Sequence, residues 1–148
     1  MIKVLCDCDP SLKMPDPSSL KNMVNQLFNI YNVKDCELQF IFGSDDLLSS
    51  LKKEFFNKYQ LTDVIAFRLN DYKAKIVEGE IYISLPRAKE NAKLYGDPYE
   101  KEVSRLIIHG CLHLLGFIDD SKIEKKKMTK MEDDFLDQIN WGNIFNIQ

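Results

Sequence analysis

Apolar and polar positions along the chain change period several times, and each change marks an element. Residues 2–7 predict a short strand. Asp16-Pro17-Ser18-Ser19 is a helix start with proline near the first helical position, and Leu20, Met23, Val24, Leu27, Phe28 and Tyr31 then recur at helical spacing, predicting an amphipathic helix over 17–31. Residues 37–42 alternate as a strand does, and Ser44 can cap a second helix carrying Leu47, Leu48, Leu51 and Phe55. Residues 63–69 predict a strand that ends in an Asn70-Asp71 turn, and 79–84 another, alternating one. A short helix over 86–95 is closed by Gly96, suited to a left-handed C-terminal cap. The next helix, 98–115, opens with Asp97 as the expected N-cap, Pro98 in the first turn and Glu100 as the reciprocal capping partner, and stops at Gly116. A last helix is expected over about 122–139, with Ile123, Met131, Phe135 and Ile139 on its apolar side. Strands and helices that do not strictly alternate predict an α+β fold, with about five helices packed on a small mixed sheet, in one domain over 1–148.

Composition narrows the function classes. The chain has 148 residues, 45% hydrophobic and 29% charged, ordinary values for a soluble globular protein. Its formal net charge of −3 excludes a domain that holds nucleic acid by bulk electrostatics alone. No apolar run approaches the roughly 18 residues of a membrane span, and the first residues turn acidic without a secretory apolar region, so a cytoplasmic protein with no membrane partner is expected. In that compartment Cys6, Cys8, Cys36 and Cys111 read as reduced thiols, with Cys6 and Cys8 on one face of a strand as small half-buried side chains.

Candidate chemistry concentrates in residues 109–120. The chain has two histidines, His109 and His113, four residues apart on one predicted helix. Four residues turn a helix by about 400° and advance it about 6 Å, so both imidazoles leave the same face one turn apart. They are either incidental helix residues, one buried and one exposed, or a pair able to share one zinc ion. Gly116 lets the chain leave the helix abruptly, and Asp119 (or its neighbour Asp120) can swing back as a third ligand. Three protein ligands with an open position mark a catalytic zinc site. Cys111 lies about 200° around the helix from His109 and belongs to the core. The residue after the first histidine is Gly110, where H-E-x-x-H zinc peptidases carry the glutamate that activates water, so peptide hydrolysis is disfavoured. A bare backbone there is expected to leave room for a bulky phosphodiester beside the metal.

The run His109-Gly110-Cys111-Leu112-His113-Leu114-Leu115-Gly116-Phe117 resembles the H-G-x-L-H-L-x-G-Y signature of the YbeY-type endoribonucleases, bacterial rRNA maturation factors, with Phe117 in place of the tyrosine. Residues 61–67, Leu61-Thr62-Asp63-Val64-Ile65-Ala66-Phe67, look like the family's T-D-V-L-S-F strand, and 79–84 like its G-D-I-x-I-S segment; the likeness covers about 44–136. The resemblance implies a zinc-dependent single-strand endoribonuclease acting in 16S rRNA 3′-end maturation and ribosome quality control, with one zinc per chain and with ribosomal RNA and ribosomal particles as partners. Its alternative is a ribosome-associated assembly factor whose zinc is mainly structural. The family's third histidine falls on Asp119, a harder, anionic donor that would make a bound water a weaker acid. The family often carries an arginine shortly before the T-D-V strand; this chain has Phe55-Phe56-Asn57, leaving Lys52, Lys53 and Lys58 as the nearest cations.

Basic residues gather near the proposed site. Arg105 lies one turn before His109, and Lys122, Lys125, Lys126, Lys127 and Lys130 follow Asp119, with Glu132, Asp133 and Asp134 limiting the patch. Arg105, Lys125 and Lys126 are the expected substrate contacts; the alternative is a solvated lysine face. The motif supplies metal ligands and no general acid or base.

Overall fold

Capping chemistry sets most of the helix ends. The computed structural model describes residues 1–58 and 62–146, so Leu61 of the family-like strand segment lies outside the described residues. Helix α1 (Pro17–Ile30) begins where the Asp16 carboxylate accepts the Ser19 N–H, α2 (Asp45–Phe56) where the Ser44 hydroxyl accepts that of Leu47, and α3 (Leu85–Tyr95) ends at Gly96 with φ of 69°. Helix α4 (Tyr99–Leu114) departs from expectation. Pro98 is its N-cap and offers no side-chain acceptor; Asp97 lies one residue too early to act as the cap. The reciprocal capping box stands instead at Ser121 and Glu124, opening α5 (Lys122–Leu136). The apolar stripe of α5 also differs from expectation: Met128, Phe135 and Leu136 are buried, whereas Ile123 is 81% exposed, and Ile139 lies past the helix end.

The sheet is mixed, as expected of an α+β fold. Strands β1 (Ile2–Cys8), β2 (Cys36–Gly43) and β4 (Val77–Ser84) run parallel in that spatial order, and β3 (Val64–Arg68) closes one edge antiparallel to β4. Leu38, Phe40 and Phe42 of β2 and Val77, Ile81 and Ile83 of β4 bury a common face, and α4 lies in one core with them through Val103, Ile107, Ile108, Leu112 and Leu114. A helix buried so far around its circumference is a core helix. The four cysteines are free, Cys36 and Cys111 buried, Cys6 and Cys8 half-buried; burial raises the Cys6 and Cys36 thiols to about 11. No helix among the described residues is long and apolar enough to cross a membrane.

Gly110 has a different role from the one expected. It faces the sheet, not a phosphodiester: a Cβ there would stand 2.7 Å from Cγ2 of Ile81. One turn on, the relation reverses, and a Cβ on Gly79 of β4 would stand 2.7 Å from Cδ1 of Leu114. At two successive turns, helix and strand approach closer than any pair of side chains allows. This fixes the depth and rotation of the helix that carries both histidines.

Candidate metal centre

The end of α4 folds back through a glycine-dependent turn. Gly116 has φ of 100°, Phe117 N–H donates to the Leu112 carbonyl at 3.1 Å and Gly116 N–H to the His113 carbonyl at 3.0 Å. This pair of bonds is a Schellman motif. The Leu114 carbonyl is taken by Nη1 of Arg68 at 2.7 Å, and the same guanidinium donates to Asn70, Asp71 and Ile76, tying the loop after β3 to the helix end.

That turn carries Asp119 back to the histidines. Nε2 of His109 and Nε2 of His113 are 3.0 Å apart, and the Asp119 carboxylate stands 3.4 Å from the first and 3.3 Å from the second. Donors bound tetrahedrally at about 2.0–2.2 Å lie roughly 3.3–3.6 Å from one another. The carboxylate distance to His109 is from Oδ2 and that to His113 from Oδ1; with one ligand atom from each residue within 4.8 Å of the others, His109, His113 and Asp119 together could hold a metal ion, with a fourth position left for another ligand. Asp120 is exposed and outside the cluster.

A carboxylate layer behind the cluster orients it. Nδ1–H of His109 donates to Oε2 of Glu132 at 2.6 Å, which leaves the lone pair on Nε2 facing the other donors. Three electron-rich atoms so close together call for a cation. Burial opposes charge on His109, but the hydrogen bond and charge of Glu132 and the charge of Asp119 outweigh it and hold its pKa above the ordinary value. Burial and the neighbouring His109 push His113 below its ordinary value, against the pull of Asp119.

Arg105 is 18% exposed and sits among three carboxylates: Glu102 at 3.7 Å, Glu132 at 3.2 Å and Asp133 at 2.7 Å. Its guanidinium, expected to face RNA, is engaged within the protein. Lys125 lines the cleft beside His109 and Asp119, whereas Lys126 is exposed and lines neither cleft at the cluster. Glu102 is 2% exposed; its Oε2 accepts from Asn91 at 3.2 Å and its Oε1 has no hydrogen-bond partner. Burial raises its pKa to about 7, against the hydrogen bond from Asn91 and the charge of Arg105. Glu132 and Glu102 were legible only indirectly. Glu132 falls in the apolar stripe of α5 with Met128 and Phe135, where a carboxylate needs a buried partner, and Glu102, Arg105 and His109 follow one another at helical spacing on α4.

Comparison with known proteins places this geometry. Residues 11–140 match the family model described as endoribonuclease YbeY. The chain is 34% identical over 128 residues to the endoribonuclease YbeY of Amoebophilus asiaticus, covering 86% of each protein. It is 35% identical over 122 residues to that of Flavobacterium psychrophilum, covering 82% of this chain and 85% of the relative. A solution structure of a Thermotoga maritima protein superposes with a TM-score of 0.66 at 26% identity, covering 97% of this chain and 91% of the other. Family match, identity and fold agree: the chain belongs to the YbeY endoribonuclease family.

Proposed function

We propose that this single-domain protein is a zinc-dependent endoribonuclease of single-stranded RNA, acting in the cytoplasm in 16S rRNA 3′-end maturation and ribosome quality control, on ribosomal RNA and ribosomal particles. The observation that carries the reading is the meeting of two imidazoles and a carboxylate at the end of α4, one ligand atom from each lying within 4.8 Å of the others, in a chain whose relatives are named endoribonucleases. Two imidazoles and a carboxylate favour zinc over magnesium or calcium, which take more ligands, chiefly oxygen. One such cluster among the described residues supports a stoichiometry of one ion per chain. Bound there, zinc supplies the Lewis acidity that stabilises charge building on a phosphodiester under attack.

The residues of the chain supply orientation. Glu132 fixes the His109 ring and tautomer, the rigid seat of α4 on β4 fixes His113 one turn on, and the turn at Gly116 sets Asp119. Arg105 acts by positioning Glu132, and Lys125 and Lys126 form an outer rim that attracts the RNA backbone. The test is metal analysis of the purified protein paired with cleavage of single-stranded and duplex RNA. One zinc per chain and cleavage of the single strand are expected; both fall away in His113→Ala and persist in Asp119→His. Undiminished zinc in His113→Ala contradicts the ligand assignment. Full zinc without cleavage, together with co-sedimentation on ribosomal particles, would establish an assembly factor with structural zinc instead.

A further inference from the structure

Two clefts meet at the donor cluster, and their linings differ in chemistry. The cleft toward α5 is lined by Asp63, Asp97, Glu102, Asp119 and Glu132, with Tyr95 as its one aromatic ring besides His109, Lys125 as a cation and Arg105 already held by carboxylates. The groove on the other side runs between the edge strand β3 and the turn after α4. Phe56, Tyr72 and Phe117 line it together with Asp63, Asp119 and Asp120, and Lys52 is its one lysine or arginine among the described residues.

Each rim of that groove presents an aromatic ring fixed in place. On the α2 rim, Nζ of Lys52 sits 4.6 Å from the centre of the Phe56 ring, which stacks on Phe67 with an interplanar angle of 18°. Among the described residues no ion pair to a carboxylate involves Lys52, so its charge is left for a ligand. On the opposite rim, Tyr72 is 59% exposed and lies beside the turn that returns Asp119; a Cβ on Gly116 would stand 3.6 Å from its Cδ1. The Arg68 guanidinium, pinned by its hydrogen bonds to the helix end, lies 4.9 Å from the centre of the Tyr72 ring. A ring supported by a fixed cation, with more than half its surface open, is a platform for stacking a base.

We propose that this groove seats the nucleotide next to the scissile phosphate of a single-stranded RNA, Lys52 contacting its phosphate and Tyr72 stacking on its base. The strand then crosses the donor cluster along β3. The proposal rests on the endoribonuclease reading for its substrate, and binding tests it separately from cleavage. The zinc-loaded protein is titrated with a phosphorothioate-linked single-stranded oligoribonucleotide, which keeps its charge and resists cleavage. Lys52→Gln should weaken binding about fivefold or more and reduce the salt slope by about 0.7, the share of one single-strand phosphate contact; Lys52→Arg should restore both. Tyr72→Ala should weaken binding roughly tenfold, Tyr72→Phe should not, and the loss should vanish on a strand lacking the base at the seated position. Zinc content stays at the wild-type value in all four variants. Wild-type affinity and salt slope in Lys52→Gln and Tyr72→Ala overturn the proposal, as does a loss that appears only on neutralising Lys125 and Lys126, or a wild-type protein that does not bind the strand. Binding with these signatures but no cleavage of unmodified RNA removes the endoribonuclease reading and leaves the groove assignment standing.

Discussion

Helix α4 carries two stripes that solve opposite problems. Val103, Ile107, Gly110 and Leu114 form one, buried and close-packed, with Gly110 and Leu114 meeting Ile81 and Gly79 of β4. Glu102, Arg105, His109 and His113 form the other, about 100° around the helix, where every group is held by charge and hydrogen bonds. The apolar stripe tolerates no added atom. The polar stripe tolerates no lost partner, because a buried group stripped of its partner retains the cost of desolvation. The donor cluster depends on both: one stripe fixes where the histidines stand, the other which nitrogen they present.

Substitutions at the apolar stripe should act on folding first. Gly110→Glu drives a carboxylate into the sheet and should abolish soluble, folded protein, seen as loss of a cooperative urea transition. Gly110→Ala meets Ile81 at 2.7 Å; overpacking of this kind costs about 1–3 kcal/mol, offset by roughly 1 kcal/mol of better helix propensity. A net loss is expected, and the double variant with Ile81→Ala should lose less than the sum of the two single changes. Exact additivity would show that the two residues do not touch.

The polar stripe should fail through the metal, with the fold intact. Glu132→Gln removes the carboxylate that holds Nδ1–H of His109, and zinc affinity measured by chelator competition should fall about 10–100-fold. The smallest effect is expected at Glu102. Its carboxyl binds a proton more tightly folded than unfolded, with a pKa raised from 4.5 to about 7, so the folded state carries more protons across that window and stability falls as pH rises through it. Glu102→Gln should flatten that part of the stability–pH curve. An unchanged curve in the variant would assign the slope to another group.

The two stripes were not equally legible in the sequence. His109, His113 and the helix stop at Gly116 are marked by identity and spacing, and Asp119 follows Gly116 by three residues, so the candidate cluster is legible in the sequence. Helix starts at Asp16 and Ser44 were marked by side chains that accept hydrogen bonds locally. Contacts between distant segments leave no such local mark. The role of Gly110 depends on Ile81, 29 positions earlier, and read alone it suggested room for substrate. The engagement of Arg105 depends on Glu132 and Asp133 from another helix; along the sequence those carboxylates only seemed to limit a basic patch. At α4 the local rule itself misplaced the cap by one residue, because Pro98 takes the capping backbone geometry without a side chain to complete it.

X-ray absorption at the zinc edge of the loaded protein tests the central assignment most directly. Two imidazole nitrogens and a carboxylate oxygen from His109, His113 and Asp119 should appear at about 2.0–2.2 Å, with one light-atom ligand filling the fourth position. In Asp119→His the imidazole contribution should rise by one ring. A sulfur shell at about 2.3 Å, or a spectrum unchanged in His113→Ala, would put the zinc elsewhere in the protein and contradict the site described here.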